Sequence, residues 1–314
     1  MLHLNLEKNR HLMDWKYWPE NAIFDLMNLA RKIKQNRWEY QGLMQGNTLA
    51  MIFQKTSTRT RISFEVSMTE MGGHAIYIDW ISSNFILSDI QLETQYLSRN
   101  VAFILARLKS NADLMKMAEV SDVPVINGCC NLYHPCQSLA DLLTILLDRG
   151  SLEGAKIAYV GVYNNVVNSL VSLSAVFGVH LTLVCPVKEK EVVDQESLDK
   201  LKKKGLVKET LDLKAALVGQ DYVYTDTWVD MEFFLDPAFQ HKKEERVNLM
   251  LPYQLNKKNL AGFGGKIMHD MPIHDGYEIT KEMVNDPRSI IFTQAENRLE
   301  VQKALLITLK SYGK

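Results

Sequence analysis

Ser57-Thr58-Arg59-Thr60 puts three hydroxyls and a guanidinium into four consecutive positions, with Arg61 next in line. Such groups hold a phosphate: hydroxyl and backbone N–H donors satisfy its oxygens, and arginine meets its charge with a two-pronged fork. The same residues would also suit a plain N-capped helix with solvated arginines. Arg107 is a further cation, placed to reach an anion or a carbonyl oxygen, or else to lie in solvent. His134-Pro135-Cys136-Gln137 is the third set. A histidine and a glutamine close together can polarise a carbonyl and hold an amide NH2, and the proline fixes the turn that presents them. A helix-capping loop with an incidental histidine is the plainer alternative.

These side chains need elements to position them. The first forty residues read as mostly helical. Apolar runs at 49–53, 75–79, 101–108 and 123–126 then alternate with helical patterns at 61–71, 89–99, 110–119 and 137–148. That alternation predicts βαβ units around a parallel sheet. The residues 57–60 then fall between a buried strand and a helix N-terminus, where free N–H groups and the positive end of the helix dipole favour an anion. Arg107 ends a strand, and the carboxyl ends of parallel strands face the ligand crevice. A helix stop at Asp148-Arg149-Gly150-Ser151 precedes a second series: strands 155–162, 181–185, 222–226 and 266–269, and helices 165–176, 195–204, 212–218 and 297–311. The expected fold is α/β: two doubly wound parallel-sheet domains with a cleft between them, the C-terminal helix returning to the first domain. The expected boundaries are 1–148, with the helix of about 297–314, and 149–296. The turn Val160-Gly161-Val162-Tyr163-Asn164-Asn165 lacks G-x-G-x-x-G, which disfavours a dinucleotide.

Bulk properties remove other classes. With 314 residues, two domains are the prior, and 46% hydrophobic with 23% charged residues is ordinary for a globular protein. A net charge of −1 without a basic tail leaves no footprint for nucleic acid. Apolar runs are too short to span a bilayer and the start lacks a signal-peptide pattern, so no membrane is expected. Four cysteines without C-x-x-C spacing read as reduced thiols of a cytoplasmic protein, with no metal.

Taken together, Ser57-Thr58-Arg59-Thr60-Arg61, Arg107 and His134-Pro135-Cys136-Gln137 resemble the aspartate/ornithine carbamoyltransferase family. Asn164-Asn165-x-x-Asn168-Ser169, Asp226-Thr227-Trp228-Val229 and Glu296-Asn297-Arg298-Leu299 extend the resemblance toward its ornithine branch, as a divergent member. The resemblance runs from about Asn47 to Leu305. It implies that Ser57, Thr58, Arg59 and Thr60 cradle the phosphate of carbamoyl phosphate. Arg107, His134 and Gln137 then hold the carbamoyl end, and Arg298 adds a contact from the last helix. Asn165, Asp226, Asp230 and Met231 fall on the acceptor side. Arg59, Arg107, His134 and Asp270 are the residues implied in catalysis, with no cofactor. The implied partners are carbamoyl phosphate and an amine or amino-acid acceptor, ornithine first, with a diamine such as putrescine as the alternative. The implied assembly is a homotrimer. A non-catalytic binder of carbamoyl phosphate is disfavoured because Arg59, Arg107, His134, Gln137 and Arg298 are all present.

Four departures from the family pattern stand out. Gln54 and Thr56 replace the usual Glu and Pro, and the stretch Ser88 to Gln95 is shortened where the ornithine branch has a longer loop. Trp80 to Asn84 could take over that loop's reach into a neighbouring subunit. Asp230-Met231-Glu232 replaces Ser-Met-Gly, and His269-Asp270-Met271-Pro272 replaces His-Cys-Leu-Pro. The last two add carboxylates beside the expected acceptor, a field that favours a cation over an aspartate-like acceptor.

Overall fold

The computed structural model describes residues 11–229, 234 and 237–311. It divides into two compact units, Met1–Leu143 with Asn297–Lys314, and Thr144–Glu296. Both are parallel-sheet α/β domains.

The first unit opens with α1 (Glu20–Gln35), then alternates β1 (Thr48–Phe53), α2 (Arg59–Glu70), β2 (His74–Asp79), α3 (Ile90–Ser98), β3 (Phe103–Arg107), α4 (Asn111–Val120) and β4 (Val125–Asn127). Helix α5 (Pro135–Arg149) follows, and the division between the units falls inside it. The sheet order is β2-β1-β3-β4, all parallel. Leu49 to Phe53, Phe103 to Ala106 and Val125 with Ile126 are buried throughout, as unbroken apolar runs in a covered parallel sheet should be. Burying one such Leu, Ile or Phe is worth about 1.5–3 kcal/mol. The edge strand β2 is largely exposed. The last helix, α12 (Arg298–Lys310), belongs to this unit. It approaches α2 closely because α2 turns small residues toward it: Ser67 Oγ donates to Leu299 O at 3.3 Å.

The second unit contains β5 (Lys156–Val160), α6 (Asn165–Phe177), β6 (His180–Val184), α7 (Gln195–Lys203), β7 (Val207–Glu209), α8 (Leu213–Leu217), β8 (Tyr222–Thr225), α9 (Gln240–Met250), β9 (Lys266–His269), α10 (Lys281–Val284) and α11 (Ile291–Glu296). Its sheet order is β7-β6-β5-β8-β9, again all parallel. Asn164 caps α6 by accepting from the Val166 and Val167 N–H groups, and Gly178, at φ 69°, ends it in the left-handed conformation.

The sequence reading placed the other strands to within two or three residues but did not foresee β7, α9 or the short α10 and α11. β7 is a three-residue edge strand with no buried position. Of α9 only Met250 is buried, so it has no apolar stripe from which a helical period can be read. Among the described residues no helix is long and apolar enough to cross a membrane.

Candidate active site

In the first sheet the chain winds one way from β1 to β2 and the other way from β1 to β3. Open parallel sheets take ligands at such a reversal, outside the carboxyl ends of the strands. β1 leads into Ser57-Thr58-Arg59-Thr60 and the N-terminus of α2, while β3 ends at Arg107. Thr58 stands at the α2 N-cap without a side-chain capping bond, and Arg59 is half-buried. Arg61 points away: it pairs with Glu65 at 3.0 Å and lies 3.9 Å over the Tyr77 ring.

Arg298 joins the motifs. It is 2% exposed, and its Nη1 donates to Gln137 Oε1 at 2.5 Å while Nη2 donates to Thr60 Oγ1 at 2.8 Å. One guanidinium thus ties the cradle, the segment after β4 and the last helix to a single buried point. Gln137 passes the link on, its Nε2 donating to Asp141 Oδ1 at 2.9 Å. One Oε1 lone pair remains to accept an amide N–H. Asp141 is one helical turn from Gln137, a spacing that could have marked it in the sequence. Arg107 donates from Nη1 to Gly128 O at 3.4 Å, and its buried Nε has no hydrogen-bond partner.

His134 sits among these cations. Burial holds its imidazole well below the usual range, and Arg298, Arg107, Arg59 and Lys55 push it further down. It is therefore a neutral ring, able to donate one N–H to a carbonyl oxygen. Cys136 is buried, its thiol pushed up to about 12 by burial, which suits packing and not attack. All four cysteines carry free thiols.

In the second unit the strand order reverses between β5 and β8. Asn164 follows β5, Asp226 follows β8, and Asn164 Nδ2 donates to Asp226 Oδ2 at 2.6 Å across that crevice. Asn165, the residue singled out from the sequence, is the first residue of α6, and the amide that meets Asp226 is its neighbour's. Asn168, from the same Asn164-Asn165-x-x-Asn168 motif, has both ends of its amide engaged. It donates to Val192 O at 2.6 Å and accepts the Asp194 N–H at 2.9 Å.

β8 and β9 pair Thr225 with His269, so Asp226 and Asp270 follow side by side on neighbouring strands. Both are buried, at 5% and 7% exposure. Burial and the charge of Asp270 push the Asp226 carboxyl well above the usual range, while the Thr227 N–H and Asn164 pull it partly back. Behind them Met271 N–H donates to His269 Nδ1 at 2.6 Å, so the ring's proton lies on Nε2, which donates to Glu278 Oε1 at 3.0 Å. Nothing in the spacing of Glu278 announced this contact. Asp230 and Met231 lie outside the described residues. Among the described residues no His, Cys, Asp and Glu group is arranged to hold a metal ion.

The two units have counterparts in known proteins. Residues 10–146 match the family model described as aspartate/ornithine carbamoyltransferase, carbamoyl-P binding domain, and residues 153–309 match its Asp/Orn binding domain. An ornithine carbamoyltransferase of Methanobrevibacter smithii is 39% identical over 91% of this chain and 95% of its own. One of Archaeoglobus fulgidus is 37% identical over 96% and 97%. The solved ornithine carbamoyltransferase of Pyrococcus furiosus superposes with a TM-score of 0.86 at 34% identity, covering 96% of each chain. With both domain models matched in order and relatives this similar along nearly their whole length, the chain belongs to the aspartate/ornithine carbamoyltransferase family.

Proposed function

We propose that this protein transfers the carbamoyl group of carbamoyl phosphate to ornithine, giving citrulline and phosphate. The observation that carries the reading is the Arg298 fork, which gathers Thr60, Gln137 and the surrounding cations around a neutral His134. Carbamoyl phosphate is an acyl phosphate with a dianionic leaving group. Attack by an uncharged amine loads charge first onto the carbonyl oxygen and then onto the departing phosphate. Arg107, His134 and Thr60 stabilise the first charge, and Arg59 with the N–H groups of Ser57, Thr58 and the α2 N-terminus the second. Gln137 Oε1 accepts from the carbamoyl NH2. Holding the two substrates in line supplies the rest of the rate.

On the acceptor side the Asp226–Asp270 pair attracts an ammonium group, and Asn164 orients Asp226. Asp270 takes the proton released as the amine becomes the new amide nitrogen. Asn165, Asp230 and Met231 complete the acceptor contacts in this reading. The enzyme works in the cytoplasm as a homotrimer. In support, Ile81, Leu87 and Tyr96 are exposed at 76%, 84% and 69%, β2 is an edge strand, and a second copy would cover such apolar surface.

A colorimetric citrulline assay with a panel of amine acceptors tests the reading. Ornithine is expected to be turned over far faster than putrescine. Rapid carbamoylation of putrescine with slow turnover of ornithine would replace the acceptor, and no phosphate release with any amine would refute the activity. Light scattering that found a fully active monomer at dilution would remove the trimer.

A further inference from the structure

Gln54 stands where β1 hands over to the phosphate cradle. Its backbone N–H donates to Arg107 O at 2.9 Å, and its side-chain Oε1 accepts the Lys109 N–H at 2.9 Å. One residue thus grips the exit of β3 on both sides of Leu108, which is itself fully buried. The Arg107 side chain starts between those grips and has one further tie, to Gly128 O. Its direction therefore depends on the backbone that Gln54 holds.

The charge of Gln54 matters as much as its shape. It is next in chain to Lys55 and hydrogen-bonded to the backbone of Arg107, two of the four cations felt at His134. A carboxylate there would accept the same Lys109 N–H, since only the acceptor oxygen is used. It would also cancel part of the positive field. Gln54 thus makes the clamp without a counter-charge.

We infer that Gln54 is a positioning residue for Arg107, and that its uncharged amide tightens the grip of the first unit on a dianionic donor. The inference rests on the donor site proposed above. Two variants separate its halves, with initial rates measured against carbamoyl phosphate and ornithine at several salt concentrations. Gln54→Glu keeps the clamp and adds one negative charge. Its KM for carbamoyl phosphate is expected to rise about 5–50-fold at low salt, with kcat within about threefold, the penalty shrinking as salt screens the charge. Gln54→Leu keeps the volume but leaves the Lys109 N–H without its acceptor. Its kcat is expected to fall about tenfold or more, with the KM for ornithine unchanged.

A Gln54→Glu enzyme with the wild-type KM at every salt concentration overturns the charge role. A folded Gln54→Leu enzyme with wild-type kcat overturns the positioning role. Because Gln54→Glu retains both hydrogen bonds, it folds and decides the charge role even if Gln54→Leu does not fold, and a Gln54→Glu kcat lowered as far as its affinity counts against both roles. Wild type is measured first: if it neither binds nor consumes carbamoyl phosphate, the donor-site reading fails along with the inference. A wild type that does so beside an unaltered Gln54→Glu enzyme rejects the charge role and leaves the donor-site reading standing.

Discussion

Replacing Arg298 by methionine tests the centre of the donor site. Methionine fills a similar length of the helix face without charge or donors. The wild-type fork makes two hydrogen bonds, at 2.5 and 2.8 Å, from a cation that is 2% exposed. Bonds to charged groups are worth about 1.5–3 kcal/mol each, so their loss alone is about 3–6 kcal/mol. Against this, the variant no longer buries a cation whose two hydrogen-bond acceptors here are uncharged, a desolvation cost of several kcal/mol. The two effects largely offset in stability, and the net change is expected within about 2 kcal/mol, read from urea unfolding. Catalysis has no such offset. Losing one preorganised electrostatic stabiliser lowers kcat by about 10²–10³.

The pH profile carries a separate signature. Arg298 is the foremost of the charges that hold His134 below its usual range, after burial itself. Its removal raises the His134 pKa, so protonation begins at a higher pH and the acidic limb of kcat/KM moves upward. Arg298→Lys keeps the charge but cannot make the two-pronged contact. It should retain the acidic limb and still lose turnover. An Arg298→Met enzyme within threefold of wild type, or one whose acidic limb stays where wild type has it, would refute the role given to this fork.

Three further outcomes are expected. Asp226→Asn should raise the melting temperature at pH 7 by a few degrees while removing most ornithine turnover. The folded carboxyl titrates above its unfolded value near 3.9, so its ionised form costs stability that grows as pH rises through the folded pKa. A differential scan showing no gain at pH 7, or an equal gain at pH 3, contradicts this. Asp270→Cys should leave carbamoyl phosphate binding intact but shift the pH optimum or the acceptor preference, and an unchanged profile on both counts removes Asp270 from the reaction. His11, His134 and His274 are all held below their usual range, mainly by burial. The unfolded chain therefore binds more protons below about pH 6.5, and stability falls as pH drops through that window. For His11, lowered to about 4, the loss by pH 4 is on the order of 3 kcal/mol, so an unfolding free energy that stays flat from pH 7 to pH 4 contradicts the assignment.

The parallel sheets were legible because their strands carry unbroken apolar runs and their helices amphipathic ones, with sharp breaks between. Two parts of the proposed donor site stand at the ends of such runs, which made their positions readable: Arg107 closes β3, and the cradle bridges β1 and α2. What escaped lies in contacts distant in sequence or made through a neighbour. The Gln54 grip depends on β1 pairing with β3, which brings Phe53 opposite Arg107 across a long gap in sequence. The amide that meets Asp226 is that of Asn164, one residue before the Asn165 expected on the acceptor side. Asn164 and Asn165 are chemically alike, and only the start of α6 decides which of them caps the helix and faces β8. Glu278 reaches His269 through a loop without periodicity, so no pattern pointed to it.

The two units reach the same geometric solution with opposite charge, and this bears on how one protein can hold both reactants. In each, part of the candidate site stands at the ends of the strands where the winding reverses: the cradle and Arg107 at β1 and β3, Asn164 and Asp226 at β5 and β8. The first reversal gathers Arg59, Arg107 and Arg298 around a histidine kept neutral. The second sets Asp226 beside Asp270 under an asparagine. On the proposed reaction the second site faces conflicting demands. It must attract an ammonium ion, yet the nitrogen that attacks must be uncharged. A single fully ionised carboxylate meets only the first demand, because it stabilises the ammonium form. Two buried carboxylates at the ends of adjacent strands share the burden: burial and the charge of Asp270 raise the affinity of Asp226 for a proton. Such a pair can attract the cation with one charge and receive the proton shed in the attack. In the proposed reaction, the placement of Asp270 beside Asp226 supplies a proton acceptor at the strand ends that attract the amine.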